Sequence, residues 1–246
     1  MIRNDEIILD LDCCGYKLYQ SPSGYCFTTD SVFLSACVRA TSNERVLEIG
    51  SGSGVISFLI AGKTDALEIV GIEIQKRLYE MSLRSLELNK LNDRVKFING
   101  DIRTIKNVLP AGSFDVVVSN PPYQIHNSKD ELSEKEICKT EVLCSLKDLL
   151  TATKRLLKYG GRFYAVIKTN RLVDLISEMR ANQIEPKKLI PIQANIESDI
   201  DLCIIEGKRN GRPGFLTCKP IIIYDEKGNY TPETQEIYYG HKNKGN

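Results

Sequence analysis

The feature that most constrains this chain is Asn120 followed by two prolines and Tyr123. The apolar, β-branched run at 114–118 predicts a short buried strand directly before it. Each proline fixes φ near about −65° and lacks an N–H donor, so neither strand nor helix continues through Pro121 and Pro122. The residue before a proline is pushed toward extended geometry, which holds the Asn120 side chain out at the end of the strand. Ligands of open α/β sheets bind at the carboxyl ends of strands, so this turn is the candidate active centre.

Strand-like and helix-like segments alternate along the rest of the chain. This alternation predicts an α/β fold with a doubly wound, mostly parallel sheet of seven strands. We expect two parts, an N-terminal extension at 1–40 that closes over a cofactor and a catalytic domain at 41–246. Within the extension, Thr29 or Asp30 is a suitable N-cap for a helix. The predicted strands are 45–49, 66–73, 95–102, 114–118, 162–167, 189–192 and 202–206, with a further short strand at 220–224 before a polar tail.

The charge balance excludes a uniformly basic, nucleic-acid-binding surface. The 246 residues include 33 Lys and Arg against 32 Asp and Glu, a net charge of +1. Any site for a polyanion must therefore be a local patch. The candidate phosphate contacts are Arg171, Lys187, Lys188, Lys208, Arg209 and Arg212.

Cysteine use and the N-terminus indicate a cytoplasmic protein. None of the eight cysteines forms a C-x-x-C pair and there are only two histidines, so no metal site is expected. Reduced thiols are typical of the cytoplasm. The N-terminus lacks an apolar signal segment, and no apolar stretch is long enough to span a bilayer, so no membrane contact is expected.

A glycine-rich loop follows the predicted strand at 45–49. Gly50, Gly52 and Gly54 alternate with serines before a predicted helix. Glycines allow a tight turn and a close approach of the backbone to a ligand, and the helix N-terminus offers free N–H groups. Glu73 ends the next strand, where an acid typically accepts hydrogen bonds from ribose hydroxyls. The alternative for Glu73 alone is a helix cap or a solvated carboxylate.

A further acid, Asp101, ends the third strand of this unit. Its carboxylate is placed to accept a hydrogen bond from an exocyclic amine, and the backbone of Ile102 is placed to serve a ring nitrogen. An ordinary Asx turn is the alternative at this position. Together with Glu73, Asp101 predicts a nucleoside site along the carboxyl edge of the sheet.

The spacing around the loop discriminates between two nucleoside cofactors. A dinucleotide requires Gly-x-Gly-x-x-Gly, so that its pyrophosphate meets the helix end. Here Glu48 precedes Gly50 by two residues, and a carboxylate there suits a cationic ligand. S-adenosylmethionine carries two cationic groups, a sulfonium and an ammonium. NAD, whose pyrophosphate is anionic, remains a weaker alternative. The predicted cofactor is S-adenosylmethionine.

The loop resembles motif I of class I methyltransferases, in which the acid helps to anchor the methionine end of the cofactor. The resemblance implies a Rossmann-like fold. It also implies cofactor contacts from Thr29, Asp30, Glu48, Gly50, Ser51, Gly52, Gly54, Glu73, Ile74, Asp101, Ile102 and Asn120.

The Asn-Pro-Pro-Tyr turn resembles the signature of amino methyltransferases that modify planar exocyclic nitrogens. The resemblance implies that the Asn120 side-chain oxygen and the Pro121 carbonyl accept the two N–H bonds of such a nitrogen. This aims its delocalised lone pair at the methyl group by positioning and electrostatics. Tyr123 would stack on an extruded base. The implied catalytic residues are Asn120, Pro121, Pro122 and Tyr123.

Nearly end to end, the chain resembles the bacterial tRNA adenine N6-methyltransferases that act beside the anticodon of a valine tRNA. The segments that carry this resemblance are 29–34, Thr140-Glu141, 219–224 and 230–233. It departs from the family in a long charged loop at 124–141 and in Cys218 where a second proline is usual. The implied partner is a tRNA that presents an unpaired or flipped adenine, and the protein is expected to be a monomer.

Two other functions remain open. A side-chain amide fits the same turn, so glutamine N5 methylation of a release factor is an alternative. Such enzymes usually carry an extra N-terminal helical domain, for which the segment before the glycine loop is too short. The third hypothesis, from another class, is a non-catalytic cofactor-binding or RNA-binding module in which Asn120 is only structural.

Overall fold

The computed structural model describes residues 5–22, 28–105, 108–122 and 144–240. These residues form one large sheet with helices on both faces, and a small N-terminal hairpin. The strands are β1 (Ile7–Asp10), β2 (Lys17–Gln20), β3 (Arg45–Ile49), β4 (Glu68–Glu73), β5 (Val95–Asn99), β6 (Phe114–Ser119), β7 (Leu157–Lys168), β8 (Ile184–Gln193), β9 (Ile200–Arg209), β10 (Leu216–Thr217) and β11 (Ile221–Ile222). The helices are α1 (Thr29–Cys37), α2 (Val55–Lys63), α3 (Lys76–Asn89), α4 (Leu146–Leu156), α5 (Leu172–Ala181) and α6 (Pro232–Tyr239).

The predicted doubly wound, mostly parallel sheet is confirmed. Its order is β5-β4-β3-β6-β7-β9-β8, and the two-residue strands β10 and β11 both pair with β8. The seven long strands match the seven predicted, and β9 runs antiparallel to both of its neighbours. Because β9 is reversed, β8 points the same way as β6 and β7. The end of β8 therefore lies at the same edge of the sheet as Asn120.

Two hydrophobic clusters cover the two faces of the sheet. One contains Phe33 from α1 and Phe58 from α2, and the other contains Leu150 from α4 and Leu175 from α5. The middle strands are buried on both faces, as β6 shows with Val116, Val117 and Val118 fully buried. Such continuous β-branched runs are what parallel strands between two helical layers require. The core thereby fixes where each strand ends.

The N-terminal extension packs against the rest of the fold. The hairpin β1–β2 lies on α3, where the buried carboxylate of Glu6 accepts two hydrogen bonds of 2.6 Å from Arg84. The Gln20 amide donates to Ser53 Oγ at 2.5 Å, which ties the hairpin to the glycine loop. Leu18 belongs to the same core cluster as Val46 of β3. The closing of residues 1–40 over a cofactor stays a prediction.

Three predicted boundaries are corrected by the structure. Thr28, not Thr29 or Asp30, is the N-cap of α1, and its side chain makes no capping hydrogen bond. Strand β7 begins at Leu157, five residues before the predicted start, because the Gly160-Gly161 pair lies within the strand beside a register shift. The predicted polar tail contains α6, whose N-cap Thr231 accepts a hydrogen bond from the Thr234 N–H, with a proline at the first helical position.

Candidate active site

A cleft at the carboxyl edge of the sheet brings together residues from four strand ends. This carboxyl-edge cleft encloses about 500 Å³ including its open mouth. Five of the predicted cofactor-site residues line it, namely Gly50, Ile74, Asp101, Ile102 and Asn120. Pro121 and Pro122 line it as well. Part of the predicted cofactor site and the predicted Asn-Pro-Pro turn therefore share one cavity.

The glycine loop divides into two glycines that leave space and one that packs. Gly50 and Gly52 have φ angles of 75° and 54°, and a Cβ added at either would meet no atom of the described residues within 4 Å. Gly54 has φ of 93°, but a Cβ there would lie 2.6 Å from Cζ of Phe97. Gly50 and Gly52 therefore keep an open surface for a ligand, whereas Gly54 lets the start of α2 pack on β5.

Ser51, between the two open glycines, offers an unused polar group. Its Oγ is buried and has no hydrogen-bond partner within the described ranges. Its backbone N–H and that of Gly50 both donate to the Ile72 carbonyl at 2.9 Å. A buried hydroxyl without a partner is unfavourable unless a ligand or water completes it. Ser51 does not line the carboxyl-edge cleft, and its Cβ lies 2.9 Å from the position that a Cβ on Gly71 of β4 would take, so its side chain faces the sheet beneath the loop.

The carboxylate of Glu73 fixes the position of the glycine loop relative to the end of β4. One carboxylate oxygen accepts from the Gly52 N–H at 2.8 Å and the other from the Gln75 N–H at 2.8 Å. Asn99 donates its side-chain amide to the Glu73 carbonyl at 2.8 Å, which ties β5 to the same point. Glu73 is 5% exposed. The carboxylate of Glu73 thus anchors the glycine loop through Gly52. A contact between Glu73 and a ribose stays a prediction.

Glu48 lies beneath the loop and does not line the cleft. It is 1% exposed, and one of its oxygens accepts from the backbone N–H of Ser57 at 2.9 Å and from its hydroxyl at 2.5 Å. Burial raises the pKa of Glu48 to about 8, against the two hydrogen bonds from Ser57, which lower it. The expectation of a charged carboxylate facing a cationic ligand is corrected accordingly. In this structure Glu48 anchors the start of α2.

Glu48 predicts a pH dependence of stability. Its carboxyl titrates near its ordinary value of 4.5 when unfolded and at about 8 when folded. Between these values the folded state binds one proton more, so the free energy of unfolding falls by about 1.4 kcal/mol per pH unit from this group. Glu48→Gln cannot titrate, so its free energy of unfolding should fall less steeply than that of the wild type. Urea denaturation between about pH 5 and about pH 8 measures both slopes, and equal slopes would contradict the raised pKa.

Asp101 lines the cleft but its carboxylate is already engaged. It accepts hydrogen bonds from the Arg103 backbone N–H at 2.9 Å and from the guanidinium at 2.5 to 2.9 Å. These hydrogen bonds from Arg103 hold the pKa of Asp101 below its ordinary value. The Asx turn considered as the alternative is therefore present, and it places an ionised carboxylate at the cleft. Its hydrogen bond to an exocyclic amine stays a prediction.

The Asn-Pro-Pro turn is held by the strand beneath it. Ser119, the last residue of β6, is buried and donates its hydroxyl to the Ile49 carbonyl at 2.9 Å. This bond joins the ends of β6 and β3, so Asn120 and the glycine loop start from one fixed edge. Tyr123, the predicted stacking residue, and the charged loop at 124–141 lie outside the described residues.

Several predicted contacts lie away from the carboxyl-edge cleft. Thr29 and Asp30 form the first turn of α1, and neither lines the cleft. Of the candidate phosphate contacts, Arg171 follows β7 at the carboxyl edge, where it pairs with Asp174. Lys208 and Arg209 end β9 at the opposite edge. The structure thereby separates those basic residues from Asn120.

An outer cleft lies farther along the carboxyl edge, beyond β8. It is lined by the turn after β8 and by the segment 224–231, with Glu197, Asp225 and Glu226 among its side chains. Next to it, Tyr224 and Tyr238 stack on either side of Tyr230 at ring distances of 5.4 Å and 5.2 Å.

In the described ranges, no three His, Cys, Asp or Glu side chains are placed to hold a metal, and no helix is long and apolar enough to cross a bilayer.

Sequence reasoning missed the residues that pack against the glycine loop, join the strand ends or form the apolar wall of the carboxyl-edge cleft. Phe97 fills the space left by Gly54 and Gly71, and Ser119 joins two strand ends. Leu149 of α4 and Cys144 form an apolar wall of the carboxyl-edge cleft. Side chains alternate between the two faces of β5, so the sequence pattern predicts that Phe97 is buried. The contact of Phe97 with the glycine loop depends on the pairing of strands, which a local sequence pattern does not predict.

The sheet order, the glycine loop and the strand-end acids define a Rossmann-like class I methyltransferase. Residues 40–233 match the family model described as a methyltransferase domain. Since this match covers most of the chain, the protein belongs to the methyltransferase domain family.

The comparisons with individual proteins agree with this assignment. The chain is 23% identical over 215 residues to a tRNA1(Val) (adenine(37)-N6)-methyltransferase of Flavobacterium johnsoniae, covering 85% of this chain and 91% of the relative. Several other similar proteins carry the same name, so the resemblance predicted from the sequence is confirmed.

Solved structures share the fold at low sequence identity. A predicted O-methyltransferase from Agrobacterium tumefaciens superposes with a TM-score of 0.70 at 18% identity, covering 86% of this chain and 96% of that one. TYW2 of M. jannaschii, solved in complex with AdoMet, gives a TM-score of 0.58 at 15% identity over 84% of this chain and 86% of its own. At these identities the likeness extends to the fold alone.

Proposed function

We propose that this protein is an S-adenosylmethionine-dependent methyltransferase that modifies the exocyclic N6 amine of an adenine in tRNA. The observation that carries the proposal is the shared cleft, which places Asn120 within the same cavity as Gly50 and Asp101. The names of the similar proteins support an adenine next to the anticodon of a valine tRNA as the target.

S-adenosylmethionine is the cofactor, supported by family membership and by the fit of the cleft. Gly50 and Gly52 leave room for it, because no described side chain fills the space that a Cβ at either glycine would take. Asp101 and Ile102 would hold its adenine, and Glu73 its ribose. When bound, the cofactor supplies an electrophilic methyl group on a sulfonium.

Asn120 and Pro121 position the nitrogen that receives the methyl group. The lone pair of an amine on an aromatic ring is delocalised, so the nitrogen is a weak nucleophile. Two acceptors, the Asn120 side-chain oxygen and the Pro121 carbonyl, would hold its two N–H bonds and turn the lone pair toward the cleft. Because the prolines and the Ser119 hydrogen bond fix the turn, these acceptors need no reorganisation during the reaction.

A labelling experiment tests the class of substrate. Cell extract incubated with the full chain and tritiated S-adenosylmethionine should yield label that RNase removes and protease leaves. Nucleoside mass spectrometry of tRNA methylated by the purified protein should then show N6-methyladenosine. Label that protease removes would instead favour glutamine methylation. Cofactor binding without label in either fraction would favour a non-catalytic module.

A further inference from the structure

A third cavity lies at the edge of the sheet opposite Asn120. This basic cleft encloses about 690 Å³ including its open mouth. Its lining residues are Ala111, Gly112, Thr151, Lys154, Arg155 and Arg209. The β6 strand runs from Phe114 beside this cleft to Ser119 before the catalytic turn. At roughly 3.3 Å per residue, the two sites are about 20 Å apart.

The lining carries three cations and no acid. Lys154, Arg155 and Arg209 form no ion pair with any acid in the described part of the chain. Neighbouring cations behave differently, since Lys158 pairs with Asp115 at 2.7 Å and Arg162 with Glu44 at 2.5 Å. The positive charge of the basic cleft is therefore concentrated and lacks a counter-charge from these residues.

Both guanidinium groups are held in place while keeping buried donors unused. Arg155 Nη1 donates to the Leu109 carbonyl at 2.8 Å, and Arg209 Nη1 donates to the Leu157 carbonyl. Arg155 Nη2 and Arg209 Nε are buried and have no hydrogen-bond partner among the described residues. A buried charged donor without an acceptor is unfavourable. Each guanidinium is thus fixed by one carbonyl and retains a donor for which the described residues supply no acceptor.

We propose that the basic cleft binds a phosphoryl oxyanion. Two fixed guanidinium groups match the several oxygens of a phosphate, and Lys154 adds a point charge at the mouth. The group has two sources, a backbone phosphate of a bound RNA or a small phosphate-bearing compound. Binding of an RNA backbone phosphate would give this near-neutral protein a local RNA contact away from the Asn-Pro-Pro turn.

Binding of inorganic phosphate to the full chain tests the site directly. Titration calorimetry at low salt should give saturable binding that weakens at least about tenfold in Lys154→Gln and in Arg209→Gln. Lys90→Gln is the matched control, because this exposed lysine directly follows α3 and does not line the cleft. Lys154→Gln leaves both guanidinium–carbonyl bonds intact, so it serves if Arg209→Gln fails to fold. No saturable binding by the wild type, or an equal loss in Lys90→Gln, overturns the proposal.

Affinity for unmodified tRNA separates the two sources. A weaker tRNA affinity in Lys154→Gln, with a shallower salt dependence and no change in Lys90→Gln, assigns the site to an RNA phosphate. Loss of phosphate binding with unchanged tRNA affinity assigns it to a small compound. The phosphate titration does not depend on the proposed function. Phosphate binding by a protein that methylates no tRNA would keep the anion site and refute only the proposed function.

Discussion

Asn120→Ala is expected to reduce methyl transfer to tRNA by at least about 100-fold while leaving cofactor binding intact. The substitution removes one of the two acceptors that orient the amine, and loss of one preorganised polar contact at a reacting centre costs on this scale. The Asn120 backbone at the end of β6 and the Ser119–Ile49 hydrogen bond remain, so the cleft keeps its shape. Incorporation of tritiated methyl groups and calorimetry with S-adenosylhomocysteine measure the two effects separately.

Asn92→Ala is the matched control for this variant. Asn92 is exposed in the turn before β5, at the opposite edge of the sheet. It should retain wild-type activity. Unchanged turnover in Asn120→Ala would refute the positioning mechanism. Loss of cofactor binding along with turnover would instead assign Asn120 to the cofactor site alone.

Gly54→Ala is expected to destabilise the fold by about 2–5 kcal/mol. The new methyl group would lie 2.6 Å from Cζ of Phe97 and 2.9 Å from Cε2 of Phe58, and φ of 93° is unfavourable for alanine. Gly52→Ala should cost only about 1–2 kcal/mol, because within the described ranges its methyl group meets no atom within 4 Å. That methyl group points into the open side of the loop, so Gly52→Ala should lose cofactor affinity instead.

Urea denaturation and cofactor titration of both variants check this contrast. Adding Phe97→Leu to Gly54→Ala should recover part of the lost stability, because leucine has no atoms at the ring positions that clash. Equal stability of the two single variants would contradict the packing role assigned to Gly54.

The architecture could be read from the sequence because it depends on local patterns. The apolar runs of β3, β4 and β6 and the turn signals around them were sufficient to predict the doubly wound sheet. Strand β7 begins five residues before its predicted start because it continues through the Gly160-Gly161 pair, a dipeptide that usually marks a turn. Helix α6 was missed although Thr231 followed by Pro232 is a helix-start signal.

The site could be predicted only in part, because sequence position does not report what covers a side chain. Asp101 and Asn120 were placed correctly at the cleft. Glu48 was expected to face a ligand, but the folding of α2 onto β3 buries it against Ser57. The basic residues of β9 were considered together with Arg171, yet strand direction puts them at opposite edges. These corrections all depend on contacts between segments distant in sequence.

The reversed strand β9 puts two separate clefts on one edge of the sheet. Because β8 ends at the carboxyl edge, the outer cleft opens on the same edge as the Asn-Pro-Pro turn, three strands farther along, although its residues come from 195–231. The proposed cofactor residues that line the carboxyl-edge cleft lie at 50–120. Insertions or exchanges in the later segment would therefore remodel the outer cleft and leave the lining of the carboxyl-edge cleft unchanged.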